Sequence, residues 1–415
     1  MSTADSAPAH VAMDQFPVAD GCLQVGGQAV TEIAQSLGGG PFFAYDSRVM
    51  DERVQSLRNA LPDAVHVHYA IKANPMQEVV DHLARAVDGL DVASAGELRI
   101  ALAAGAAPDA ISFAGPGKSE EDLQLAVASG VTLNVESERE LQRIIGVADN
   151  MDRRASVAVR VNPAFELKSA GMKMGSGPKP FGVDAERVPD MLRSMEDPRL
   201  DFVGFHIYSG SQNLRHDAVA QTQTLTFELA YELAKHAPGP VRSLNIGGGF
   251  GVPYFPGEQR LDLAPIGANL ASLVGEARTR LPDARVVMEL GRYLTAEAGV
   301  YICEIIDRKE SRGETFLVTN GGLHHHLAAS GNFGQVIRKN YPLAVANRMD
   351  EPSLETVNVV GPLCTPLDIL GHQVQLPRAE PGDLIAVFQS GAYGFSASPR
   401  DFLSHPQPRQ VLLGA

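Results

Sequence analysis

The chain has 415 residues, 44% hydrophobic and 20% charged, an ordinary globular composition that excludes a wholly disordered polymer. No apolar run reaches about 18 residues and the first basic residue is Arg48, so neither a transmembrane helix nor a secretory signal is expected. A formal net charge of −14 disfavours nucleic acid and anionic membrane as partners, and three scattered cysteines (Cys22, Cys303, Cys364) fit neither a disulfide framework nor a zinc site and suit a reducing cytoplasm. The small, polar residues 1–15 read as a mobile tail, and Thr31–Leu37 as a short helix stopped by three glycines. Apolar or β-branched runs then recur at Val65–Ile71, Leu90–Ala93, Ile111–Ala114, Thr132–Val135, Val157–Val161, Phe202–Ile207, Leu244–Ile246 and Val286–Glu289. Segments of helical period separate most of them, the longest being Ala218–Lys235 and Ile266–Leu281. Eight strands alternating with helices predict an α/β fold, a (β/α)8 TIM-like barrel over residues 41–294, with a doubly wound sheet as the rival. Beyond it, Val300–Ile306, Phe316–Thr319, Thr356–Val360 and Leu384–Phe388 read as strands of an all-β domain over residues 295–415, against which residues 16–40 are expected to pack.

A barrel places its active site at the C-terminal ends of its strands. Those ends carry Lys72, Asp91, Arg160, His206 with Tyr208 and Ser211, the run Gly247-Gly248-Gly249, and Glu289 with Arg292. Lys72 alternates in register with His66 and His68. Inside a barrel it would lose charge by desolvation and become a nucleophilic amine, although an exposed strand-end lysine satisfies the same pattern. Bare glycines after a strand let backbone N–H groups approach a phosphate, but the spacing is not a dinucleotide fingerprint. Cys364 sits in a loop shaped by Gly361, Pro362 and Pro366. The run His324-His325-His326 invites a metal reading. On an extended segment at most two of the three could share an ion, and no acid or cysteine lies at ligand spacing, so no metal site is assigned.

Taken together, these motifs resemble the fold-type III pyridoxal-phosphate decarboxylases, the family of diaminopimelate, ornithine, lysine and arginine decarboxylases, which shares its barrel with alanine racemase. The resemblance runs from about Phe16 to Val411 through Pro41–Asp46, Tyr69–Asn74, Asp91–Glu97, Gly204–Gln212, the triple glycine, Glu289–Arg292, Gly361–Asp368 and Gly391–Tyr393. It implies pyridoxal 5'-phosphate held by Lys72 as a Schiff base, with Glu289 on the pyridine nitrogen. It also implies a phosphate surrounded by Ser211, Gly248, Gly249, Gly291, Arg292 and Tyr393. Asp91, Arg160, His206 and Tyr208 complete the cofactor set, and Arg292, Thr365 and Tyr393 face the substrate. Cys364 would enter from the partner subunit of a homodimer with shared sites and protonate the carbon that loses carbon dioxide. An acid at the nitrogen suits decarboxylation, whereas a racemase would carry an arginine there.

This sequence departs from the family in three places. Tyr208 replaces the second of two histidines in the sixth-strand motif, so either His206 or Tyr208 could stack on the cofactor ring. Thr365 replaces the acid that binds a distal amine, and Asn320–Tyr341 matches the usual substrate-binding stretch poorly. An unpaired cation in a buried pocket is costly. The departures therefore point to an amino-acid derivative without a free distal amine, which Arg338 or Lys339 could meet if it is anionic. That resembles the outlying branch that acts on glutamyl groups linked to an acyl carrier protein or is associated with exosortase clusters. A decarboxylase of free diaminopimelate, lysine or ornithine is the alternative. A racemase and a non-catalytic cofactor-binding or regulatory homologue are the readings of other classes.

Overall fold

The computed structural model describes residues 8–165, the backbone of 172–173, and residues 177–335, 337–353 and 355–414; the first seven residues of the expected tail lie outside them. The chain divides into two compact units, one comprising Arg53–Gly251 and Leu261–Gly291, the other Met1–Glu52, Val252–Arg260 and Arg292–Ala415.

In the first unit eight parallel strands follow one another around a closed sheet: β1 (Val65–Ala70), β2 (Gly89–Val92), β3 (Ile111–Phe113), β4 (Thr132–Val135), β5 (Ala155–Asn162), β6 (Leu200–Ile207), β7 (Ser243–Gly248) and β8 (Arg285–Leu290). β8 pairs back onto β1, with Glu289 opposite His68, which excludes the doubly wound alternative. Serines start the helices after β2, β3 and β4: Ser94, Ser119 and Ser137 each accept a backbone N–H of the first turn. Such caps contribute about 1 kcal/mol apiece and fix where each strand end hands over to its helix. A hollow of about 790 Å³ in the barrel unit is lined by the polar Ser112, Asn134, Ser156 and Asn245 together with Ile111, Val203, Phe205 and Val287.

The second unit is built on the long strand Gly299–Ser311. It pairs with Phe42–Asp46, Leu384–Val387 and Glu314–Thr319, and Arg409–Leu413 adds in parallel to Phe42–Asp46. Phe16, Leu23, Val25, Val30 and Ile33 share one core with Phe42, Val300, Ile302, Leu384 and Phe388. Pro8–Gln15, the described part of the expected tail, is tied to this unit through His10 Nε2 at 2.9 Å from the Asn340 carbonyl and Gln15 Nε2 donating to the Glu297 carbonyl.

His324–His326 lie in a turn rather than on the extended segment expected, since the N–H groups of His325 and His326 both donate to the Gly322 carbonyl. All three rings are buried. His326 Nδ1 accepts the Ala329 N–H, so its protonated Nε2 faces Ser390 Oγ at 2.9 Å. Burial depresses the three, to about 4 for His324 and about 3 for His325 and His326, against an ordinary 6.5. The unfolded chain takes up these protons below about pH 6.5 while the folded chain refuses them. Stability is therefore complete above that pH and falls as acid is added, by up to ~1.4 kcal/mol per pH unit for each ring. Thermal melts between pH 7 and 4.5 are expected to show a steadily falling midpoint, with a shallower slope in His326→Gln. A flat profile would contradict the buried neutral triad.

Candidate active site

Six residues named from the sequence converge on one cavity of the barrel unit, of about 170 Å³: Lys72, Asp91, Arg160, His206, Tyr208 and Glu289. Each is delivered by a strand end. Lys72 differs from expectation in one respect. β1 stops at Ala70 and the backbone tightens into a 3₁₀ turn over Ile71–Ala73, so Lys72 is exposed at the mouth instead of desolvated inside. Its Nζ lies 5.9 Å from the centre of the Tyr208 ring.

Beneath it sits a buried charged cluster. Glu289 Oε2 is 3.2 Å from His206 Nε2, off the line of a hydrogen bond, and accepts a hydrogen bond from Asn245 Nδ2 at 3.2 Å. Burial alone would raise the Glu289 carboxyl, but the positive form of His206, with Lys72 and Arg160 further off, holds it below the usual carboxylate range. Asp91 moves the opposite way. Burial and the neighbouring Glu289 raise it, and His68 Nδ1 lies 3.6 Å from its Oδ1. Two acids in one polar cluster are thereby driven apart, one held ionised and one towards its neutral form, an arrangement typical of sites that manage protons.

Arg160 donates from Nη1 to Glu136 Oε1 at 2.8 Å and lies 5.2 Å over the Phe181 ring. Glu136 also accepts the Gly115 and Gly182 N–H groups, so it locks three loops of the mouth. Neither Glu136 nor Phe181 was foreseen. Glu136 directly follows β4, where the strand-end rule would have found it.

The glycine run needs its glycines for packing before any ligand is considered. A Cβ on Gly248 would stand 2.0 Å from the Glu289 carbonyl, and one on Gly249 2.0 Å from the Gly210 carbonyl. Gly249 thus brings its loop against Gly210–Ser211, and Gly291 lies against Ala70 and Ala73. Ser211, Gly248, Gly249 and Gly291 therefore belong to close-packed backbone at the strand ends.

Arg292 and Tyr393 lie in the second unit. Arg292 Nη1 donates to Tyr254 Oη at 2.9 Å, and its guanidinium lies 4.7 Å from the Tyr393 ring centre. Burial opposes its charge, but Tyr254 and Tyr393 outweigh it and keep it cationic. Tyr393 holds a left-handed backbone (φ 60°), a conformation costly for a bulky side chain. Cys364 is exposed, not a core hydrophobe. Its loop is shaped by Asp368, whose carboxylate accepts the Leu323 and Leu363 N–H groups. Thr365 Oγ1 accepts the Leu367 N–H. Arg338 uses Nε and Nη2 on the Ser330 and Ile369 carbonyls, so it is less available to an anionic substrate than expected. Among the described residues no cluster of histidine, cysteine or acid side chains suits a metal ion, and no helix is long and apolar enough to cross a membrane.

A lysine at the mouth, a buried ionised acid and an aromatic ring in one cavity fit a pyridoxal cofactor, whose aldehyde, ring nitrogen and ring call for those three groups. Comparison with known proteins agrees. Residues 48–296 match the pyridoxal binding domain of the pyridoxal-dependent decarboxylases. The L-glutamyl-[BtrI acyl-carrier protein] decarboxylase of Niallia circulans is 40% identical over 90% of this chain and 88% of its own length. The 2-[(L-alanin-3-ylcarbamoyl)methyl]-2-hydroxybutanedioate decarboxylase of Staphylococcus aureus is 32% identical over 89% and 93%. Diaminopimelate decarboxylase from Helicobacter pylori, solved with L-lysine, superposes with a TM-score of 0.81 at 27% identity over 92% and 94%. The chain belongs to the pyridoxal-dependent decarboxylases, enzymes that use pyridoxal 5'-phosphate to remove carbon dioxide from amino acids.

Proposed function

We propose that this decarboxylase removes the α-carboxylate of an amino-acid derivative whose distal end carries no free ammonium group, such as a glutamyl unit linked to an acyl carrier protein. The observation that carries the reading is Thr365, a neutral residue already engaged with the Leu367 N–H, at the position where relatives that act on diamino acids place an acid. A hydroxyl donates and accepts hydrogen bonds but does not neutralise a cation. The Niallia circulans relative, named for a carrier-linked glutamyl substrate, supports the same choice.

The cofactor supplies an electron sink that stabilises negative charge on the carbon losing its carboxylate. In this assignment Lys72 holds it, Glu289 keeps its ring nitrogen protonated, and Asp91 and Arg160 shape the floor and wall of the cavity. His206 lies beside Glu289, and Tyr208, the ring that faces Lys72 Nζ, is assigned the stacking surface. Ser211, Gly248, Gly249, Gly291, Arg292 and Tyr393 are assigned to the phosphate, with Arg292 and Tyr393 also meeting the substrate. Cys364, exposed on its shaped loop, is assigned as the proton donor, acting in the site of the partner subunit of a homodimer.

Carbon dioxide release tests the substrate. Glutamyl thioesters or carrier-linked glutamate are expected to exceed free diaminopimelate, lysine and ornithine in kcat/KM by tenfold or more, ~1.4 kcal/mol of transition-state preference. A free diamino acid leading by the same margin would make the enzyme a conventional basic-amino-acid decarboxylase.

A further inference from the structure

We propose that Asn245 is a positioning residue that holds the Glu289 carboxylate in its ionised form and ties it to the glycine loop. The inference rests on the assignment of Glu289 to the cofactor nitrogen. β7 departs from regular pairing between Asn245, opposite Val287, and Gly248, opposite Glu289. Within that irregularity Gly247 adopts a left-handed backbone (φ 68°), and its N–H is turned away from the strand ladder. Asn245 Oδ1 accepts this N–H at 2.8 Å.

That bond settles which way the amide points. A backbone N–H can only donate, so the oxygen must face Gly247 and the NH2 group must face away from it. The NH2 group then meets Glu289 Oε2 at 3.2 Å. An N–H donor aimed at a carboxyl oxygen favours the carboxylate over the carboxylic acid. Both side chains are buried, so solvent does not dilute the contact.

The other ionisable groups around Glu289 do not duplicate this role. His206 Nε2 approaches the same oxygen but off the line of a hydrogen bond. Asp91, backed by His68, opposes ionisation of Glu289, and Lys72 and Arg160 act from further away. Asn245 is the neutral donor whose effect does not change with pH. It also links two parts of the site, because displacement of the glycine loop would pull on the same amide that orients the acid. In the sequence Asn245 lies within the expected strand Leu244–Ile246, directly before the triple glycine, and nothing in the local pattern singles it out.

The test uses the holoenzyme and reads the visible absorption of the bound cofactor across pH, with cofactor affinity measured by fluorescence titration. In Asn245→Asp the donor becomes a second carboxylate facing Glu289. The acid-side midpoint of the absorption profile is expected to move up by about one pH unit, with cofactor binding weakened about tenfold, equivalent to ~1.4 kcal/mol. Asn245→Ser, which keeps a hydroxyl able to donate, is expected to lie between this variant and the parent, and it carries the test should the aspartate variant not fold. Parental profiles and affinity in the folded variants would overturn the proposal. Glu289→Gln separates the two levels. If it too leaves the profile unchanged, the assignment of Glu289 to the nitrogen is wrong. If it moves the profile while the Asn245 variants do not, the role of Asn245 alone is wrong.

Discussion

Lys72→Ala is expected to lose about three orders of magnitude or more of turnover, ~4 kcal/mol of barrier, while the protein keeps its fold. The side chain stands at the cavity mouth on a short turn and is exposed, so its removal leaves no packing defect. Its loss is chemical. An amine is the group on this chain that can bond covalently to an aldehyde, and Lys72 shares the cavity with Glu289, Asp91 and Tyr208. Lys72→Arg separates the two contributions of the lysine. It retains the positive charge that favours the ionised form of Glu289 but not the nucleophile, and it should be as inactive as the alanine variant. Borohydride treatment of the parent protein should fix the pyridoxyl group on the peptide containing Lys72. Label on a different lysine, or near-parental turnover in Lys72→Ala, would remove Lys72 from this role.

The barrel was legible because each of its strands is a short apolar run followed by a helical period, a purely local pattern. The site was legible for a related reason. Once the barrel is assumed, its chemistry must lie at strand ends, and Lys72, Asp91, Arg160, His206 and Glu289 all lie there. What stayed hidden depended on distance along the chain or on backbone geometry. Phe42–Asp46 is one central partner of Gly299–Ser311 and Arg409–Leu413, a pairing between segments hundreds of residues apart that no local period announces. The expected desolvation of Lys72 failed because alternation along β1 was extended two residues past its end, across a 3₁₀ turn. Tyr254, which holds Arg292, comes from a Pro-rich segment with no periodicity, and Asn245 gains its meaning only through the irregular pairing of β7 with β8.

Cys364→Ala should bind cofactor as the parent does yet turn over about 10²–10⁴-fold more slowly, the usual contribution of a positioned general acid. The loop that presents Cys364 is held from within by Asp368 through the Leu323 and Leu363 N–H groups, and Cys364 itself is not part of the core, so alanine there should leave the fold intact. Removing carbon dioxide leaves a carbon that must gain a proton. A thiol fixed beside it delivers that proton to one face, whereas water does not discriminate. Reaction in deuterium oxide should therefore give stereospecifically labelled product with the parent and scrambled product with Cys364→Ala. Shared sites add a second expectation. If Lys72 and Cys364 serve one site from opposite subunits, each Lys72→Ala/Cys364→Ala heterodimer holds one intact site and one doubly defective site. Random assortment makes half of the dimers heterodimers, so an equal mixture should recover about a quarter of parental activity. Recovery would follow the time course of subunit exchange. An inactive mixture after confirmed exchange would place both residues in the same site of one chain, and parental turnover with stereospecific product in Cys364→Ala would remove the thiol from the mechanism.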